Sequence, residues 1–184
     1  MKIIAFTGMP CSGKSVAVEI AKDLGIPVIR MGDAVWEETE NRGLSLTDEH
    51  VGNVANEMRQ KHGMDVWAQK TVEKIESLGS PECIVIDGVR NSEEIAYFYN
   101  SLGTSFVVIA IRASEYIRQQ RALYRKRVDD ASNPEDLKQR DEREIRWGLN
   151  EVITNADIEI VNEGTLDEFT QTVKEIFQVF EMKR

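Results

Sequence analysis

Gly8-Met9-Pro10-Cys11-Ser12-Gly13-Lys14-Ser15 reads as G-x-x-x-x-G-K-S, a phosphate-binding loop, and it decides the fold. The loop begins one residue after the apolar run Ile3-Ile4-Ala5-Phe6 and leads straight into a helical pattern, residues 15–24. This motif needs a strand to deliver the chain, a glycine turn with inward-facing amides, and a helix N-terminus behind them. All three are in register here. Amides and the positive end of the helix dipole then converge on a β-phosphate. Lys14 would reach the β- and γ-phosphates, and the Ser15 hydroxyl would ligate Mg²⁺. The expected cofactors are therefore ATP and Mg²⁺, with residues 8–15 as the nucleotide cradle.

Outward from the loop, short Ile/Val-rich runs at residues 2–7, 27–31, 83–87, 106–112 and 157–162 alternate with helical patterns. Continuous apolar runs of this length suit parallel strands buried on both faces. The alternation predicts an α/β fold with a parallel sheet of five strands flanked by helices. Thr47 is placed to cap a helix that stops at Gly63, and Ser92 to cap residues 93–102. Thr165-Leu166-Asp167-Glu168 forms a capping box for the last helix, whose apolar face reads Leu166, Phe169, Val173, Ile176, Phe177 and Phe180. Residues 32–78 and 114–150 exceed a minimal sheet. Both follow carboxyl ends of strands, which sets them at the rim of a ligand crevice.

Bulk properties narrow the partners. The 184 residues suffice for one compact domain, and a net charge of −9 disfavours a general nucleic-acid binder. No stretch approaches the ~20 apolar residues of a membrane span. No leader segment is expected before the first strand, and Cys11 and Cys83 lack zinc-like spacing, so the expected setting is reducing and cytoplasmic. A monomer and a homodimer are equally compatible with the sequence.

Three further features bear on chemistry. Val85-Ile86-Asp87 ends an apolar strand in a carboxylate, as expected of the acid that helps hold Mg²⁺. Gly88-Val89-Arg90 follows, and Arg90 reads either as a bidentate grip on a second phosphate or as a solvated loop residue. Arg118, Arg121 and Arg125 share one helical face, with Arg127, Arg140 and Arg143 beyond them. Such a set reads either as salt-bridged surface or as a hinged lid that neutralises a migrating phosphoryl group and excludes water.

These stretches together resemble the P-loop nucleoside monophosphate kinase superfamily. The match is nearest to adenylate-kinase-related archaeal proteins of unassigned substrate, with dephospho-coenzyme A kinase more distant. It is carried by residues 7–15, Met31-Gly32-Asp33, Arg42-Gly43-Leu44, Asp87-Gly88-Val89-Arg90, Arg127-Val128-Asp129-Asp130, Arg140-Asp141-Glu142-Arg143-Glu144, Ala156-Asp157 and Asn162-Glu163. The resemblance implies a core of residues 1–31, 79–113 and 151–184, an acceptor-binding insert at 32–78 and a lid at 114–150. It assigns the acceptor phosphate to Arg90, lid entry to Arg121 and Arg125, the transferred phosphoryl to Arg127 and Arg140, and the donor base to the loop at Asn162.

Two departures stand out. Where such kinases carry an arginine after Gly32-Asp33, this chain has Trp36, so Arg30, Arg42 or Arg59 replaces it, or the acceptor differs. Trp36 itself reads either as a ring that stacks on an acceptor base or as a structural tryptophan; Asp33 either orients the acceptor or caps a helix. Cys11 stands where glycine is common. A positive φ there would cost about 1–2 kcal/mol, whereas a negative φ would cost little. Its place beside a helix N-terminus also makes it a candidate redox-sensitive thiol. The expected function is transfer of the ATP γ-phosphoryl to a small nucleotide-type acceptor. The alternatives are a dephospho-coenzyme A kinase-like enzyme and a nucleotide-dependent regulatory ATPase. No Asn-Lys-x-Asp motif points to a GTPase switch.

Overall fold

The computed structural model describes residues 1–79, 81–103, 105–124 and 134–182. Five strands, β1 (Lys2–Thr7), β2 (Val28–Arg30), β3 (Cys83–Asp87), β4 (Ser105–Arg112) and β5 (Ile158–Val161), pair in the order β2-β3-β1-β4-β5. Every pairing is parallel. β1 lies at the centre, with Phe6 opposite Asp87 on one side and Ile109 on the other. The loop that follows β1 therefore emerges from the best-supported position in the sheet.

The pleat of β1 sorts the core. Ile3 and Ala5 face one layer, with Ile84, Ile86, Trp67 and Phe98. Ile4 and Phe6 face the other, with Val85, Ile109, Ile111 and Phe177. Helices α1 (Lys14–Asp23) and α9 (Leu166–Met182) cover the second face, where the Phe6 and Phe177 rings meet edge to face at 6.1 Å. Buried residues of α4 (Val66–Ser77), α5 (Ser92–Leu102) and α8 (Leu149–Thr154) pack in the first layer.

Two long connections between strands carry helices. Helices α2 (Met31–Asn41), α3 (Asp48–His62) and α4 join β2 to β3. Helices α6 (Glu115–Tyr124) and α7 (Pro134–Arg146) follow β4. Local chemistry sets most of the ends. Thr47 caps α3 by accepting from the His50 amide, and the Thr165–Glu168 box opens α9, with the Thr165 amide donating to Glu168 Oε2 at 2.8 Å.

Three expectations are corrected. The cap of α5 is Asn91, whose side chain accepts from the Glu94 amide; Asn91 has the extended backbone that a cap requires, and Ser92 is already helical. β2 spans three residues, because α2 starts at Met31 with no connecting loop. Leu166 is exposed, and the apolar face of α9 enters the core only from Phe169 onward.

Candidate active site

The carboxyl ends of the strands open onto a groove enclosing about 1190 Å³ of solvent-open space. Its floor is the loop of residues 10–15 with Asp87 and Arg90. One wall comes from α2 and α3, through Trp36, Ala55 and Arg59. The other comes from α7 and its C-terminal turn, through Arg140, Arg143, Glu144 and Trp147.

The loop has the backbone its sequence demands. Gly8 and Gly13 adopt φ 143° and 118°. A Cβ on Gly8 would lie 2.3 Å from the Ile111 carbonyl, and one on Gly13 would lie 2.2 Å from Asn162 Nδ2, so both positions exclude any side chain. Cys11 sits at φ 62°, the one positive value among the described non-glycine residues, which settles the open question of its backbone on the costly side. Helix α1 begins at Lys14 with neither a side-chain cap nor an acidic residue in its first turn, whereas α3, α5 and α9 each carry two acids there. Its first amides are thus left for an anion. The Lys14 ammonium donates to the Gly8 carbonyl at 2.5 Å and to that of Met9 at 3.1 Å. Loss of surrounding water draws its pKa down to about 8; Arg90 and Arg140 reinforce that drop, and Glu144 and Asp87 oppose it.

Behind the loop, two arginines of α6 hold its carbonyls. Arg118 donates to the Pro10 carbonyl at 3.2 Å and grips Asp141 of α7 with bonds of 3.0 and 2.7 Å. Arg121 donates to the carbonyls of Ser12 at 3.1 Å and Asn162 at 3.0 Å, and Asn162 Nδ2 donates to the Ser12 carbonyl at 2.8 Å. Arg121 and Asn162, far apart in sequence, therefore meet at the back of the loop. Arg125 and Arg127 lie outside the described residues.

At the front, Asp87 and Ser15 line the groove, and the buried Asp87 Oδ1 accepts no hydrogen bond. A hydroxyl plus one such carboxylate fits Mg²⁺, which takes few protein ligands and completes its shell with substrate phosphates and water. No group of three or more His, Cys, Asp or Glu among the described residues would hold a metal alone.

Toward α3, the buried Arg59 donates to Glu94 at 2.9 Å, and its guanidinium lies 4.2 Å from the centre of the Trp147 ring. Its Nε and the NH1 nitrogen lack partners. Glu94 also accepts the Arg90 amide at 2.7 Å, so one buried carboxylate joins α3 to the loop after β3. Trp36 lines the groove with the Arg30 guanidinium 5.4 Å from its ring centre. Asp33 is exposed, lies outside the lining and sits 3.6 Å from Arg30. Arg42 also lies outside it, bound to Glu38 and Glu57 at 2.9 Å each.

Glu144, which the sequence placed merely among surface ion pairs, is buried at the centre of the groove's cations. Its carboxylate is 3.5 Å from Arg90 Nε and 3.3 Å from Arg140 Nε. Burial alone would raise its pKa; Arg90, Arg140, Lys14 and Arg143 together outweigh that and hold it near 2. Trp147 and Asp48 also line the groove, and the buried Glu94 braces Arg59 and Arg90 beneath it; the sequence singled out none of the three. The one available signal was the helical spacing of Arg140, Arg143, Glu144 and Trp147, which lines a single face.

The family described as "AAA domain" matches residues 7–138. The chain is 46% identical over 176 residues to a UPF0200 protein of Methanosarcina barkeri, covering 96% of this chain and 94% of that one. It is also 46% identical over 177 residues to a UPF0200/UPF0201 protein of Archaeoglobus fulgidus, of which it spans 55%. Among solved structures, a shikimate kinase from Bacteroides thetaiotaomicron superposes with TM-score 0.60 at 11% identity over 98% of both chains. A gluconokinase from Sinorhizobium meliloti gives 0.56 at 17% identity over 99% of this chain and 97% of that one. Those likenesses concern the fold alone. Given kinship over nearly its whole length, and an AAA domain across residues 7–138, the chain belongs to the UPF0200 family.

Proposed function

We propose that this protein is an ATP- and Mg²⁺-dependent phosphotransferase whose acceptor is a phosphate group on a small nucleotide-type molecule. The observation that carries this reading is the convergence of Lys14, Arg90 and Arg140, from three separate elements, on one groove beside the unpartnered oxygen of Asp87. Residues 8–15 would hold the polyphosphate, and Ser15 and Asp87 would hold Mg²⁺, which neutralises phosphate charge. Arg121 and Asn162 would border the donor base. Arg59, Arg90 and Trp36 would receive the acceptor.

In the reaction, an acceptor oxygen bonds to the γ-phosphorus as the bond to the bridging oxygen breaks, and ADP leaves. Positioning and charge neutralisation by Lys14, Arg90 and Arg140 account for the rate, with no covalent enzyme intermediate. Helices α6 and α7 act as the lid that keeps water from the phosphoryl group, and α2–α4 as the acceptor insert. Shikimate kinase and gluconokinase are named for acceptors that present a hydroxyl, which calls for a carboxylate base. Here the carboxylates near the acceptor are committed: Asp48 is clasped by Arg143, Glu144 is held ionised among cations, Asp87 is given to Mg²⁺, and Asp33 lies outside the groove. A phosphate acceptor, already anionic, needs no base.

The test incubates the protein with ATP–Mg²⁺ and AMP, CMP, dCMP, UMP, GMP or dephospho-coenzyme A, following ADP and phosphorylated product separately. A nucleoside diphosphate product from one monophosphate is expected. Product from dephospho-coenzyme A alone would make the acceptor a hydroxyl, and ADP without any new product would point to a regulatory ATPase.

A further inference from the structure

We infer that Glu144 is a positioning residue that stands in for the migrating phosphoryl group, holding Arg90 and Arg140 at the transfer point until phosphate displaces it. This rests on the kinase reading above, which gives those two arginines to the phosphates. Ion pairs of two kinds line or brace the groove. Arg143 binds Asp48 at 2.9 and 2.8 Å, Arg118 binds Asp141 at 3.0 and 2.7 Å, and Arg59 binds Glu94 at 2.9 Å. These are the short lengths of charge-assisted hydrogen bonds. The contacts of Glu144 are longer, 3.5 Å to Arg90 Nε and 3.3 Å to Arg140 Nε. Arg90 Nε, although buried, has no hydrogen-bond partner.

Glu144 thus supplies charge while leaving Arg90 Nε without a hydrogen bond. A phosphate offers more oxygens and more negative charge, and would bind both guanidinium groups bidentately. The same carboxylate lies in the field of Lys14, the residue expected beside the γ-phosphate. A fixed anion at that point would repel the group being transferred, so Glu144 has to yield it. Before substrate arrives it offsets the mutual repulsion of Arg90 and Arg140 near Lys14, while Lys14 and one Arg90 nitrogen rest on the carbonyls of Gly8, Met9 and Gly88. The empty site is thereby preorganised at the cost of an internal competitor for the incoming phosphate.

The consequence is a change opposite to that of losing a structural ion pair. Glu144→Gln removes the competing charge, so affinity for phosphate rises by about tenfold while the release of products slows. Inorganic pyrophosphate and ATP–Mg²⁺, each without acceptor, are titrated calorimetrically into wild-type protein and Glu144→Gln. Tighter binding of both probes by Glu144→Gln is expected. With an active acceptor, KM for ATP should fall and kcat should fall with it. Equal or weaker binding by a folded Glu144→Gln protein would overturn the inference, because a mere brace, once removed, loosens the site. If Glu144→Gln does not fold, Glu144→Asp keeps the charge on a shorter arm; severalfold tighter pyrophosphate binding is expected, and unchanged or weaker binding overturns the inference. Pyrophosphate binding needs no acceptor, so a failed acceptor panel sinks the kinase reading without deciding this one.

Discussion

Arg143 on α7 donates two parallel hydrogen bonds, 2.9 and 2.8 Å long, to the carboxylate of Asp48, the first residue of α3. The pair spans the groove and joins the helices proposed as lid and insert. Both side chains are about four-fifths buried, so solvent screens the contact less than it would a surface pair. Asp48→Asn should weaken the closed arrangement by about 1 kcal/mol. Amide hydrogen exchange in α7 should then rise about fivefold. Unchanged protection of residues 134–146 would show that this pair does not hold the two helices together.

Gly52→Ala tests the same contact without touching either charge. Gly52 is buried on α3, and a Cβ there would lie 2.6 Å from Arg143 Cζ. Alanine favours a helix interior over glycine by about 1 kcal/mol. The guanidinium, at the end of a flexible side chain, should move aside. Thermal stability should therefore hold or rise while α7 becomes less protected, and a large drop in Tm would refute this account of the glycine.

Lys14→Ala should reduce turnover by at least about a hundredfold, because it removes the ammonium that faces the developing charge. Its hydrogen bonds go to two carbonyls of its own loop, Gly8 and Met9, so the fold should survive. Matched circular dichroism and Tm, measured beside the rate, check both halves.

Cys11→Gly should stabilise the protein. A non-glycine residue at φ 62° carries about 1–2 kcal/mol of strain, against about 0.5–1 kcal/mol of chain entropy that glycine adds to the unfolded state. A net gain of about 0.5–1 kcal/mol in urea unfolding is expected. Destabilisation would mean that the thiol makes a contact worth more than the strain.

Acid should destabilise the protein through Glu144. Its folded pKa lies near 2 against an ordinary 4.5, so its contribution is complete above pH 4.5 and disappears as the pH falls toward 2. The sign follows because the unfolded chain takes up the proton first. The contribution is at most about 3 kcal/mol. Glu144→Gln should flatten the stability–pH curve across that interval, as followed by chemical unfolding at several pH values.

The sheet was legible because its strands are apolar on both faces and flanked by loop signals. The phosphate loop was legible because its glycines answer to backbone geometry alone, as the clashes at Gly8 and Gly13 show. Glu144 was not. Its local partner Arg140 sits one helical turn away and reads as an ordinary surface pair, while Arg90 belongs to a different strand's loop and reaches Glu144 only through the tertiary fold. Arg118 shows the same limit: helical spacing grouped it with Arg121, but burial against Asp141 made it a tie between helices. At α5, Asn91 and Ser92 are both cap formers, and the extended backbone at Asn91 decided between them.

The central place of β1 affects how the protein is made. The strand emerges first of the five, but both of its sheet neighbours, Cys83–Asp87 and Ser105–Arg112, come much later. At ordinary rates of synthesis the ribosome needs roughly 5–20 s to reach the end of the second. During that time a bare apolar segment is available to wrong partners, so a nascent chain would profit from a chaperone on β1. Slowing translation between codons 8 and 112 should lower soluble yield more than slowing it after codon 112.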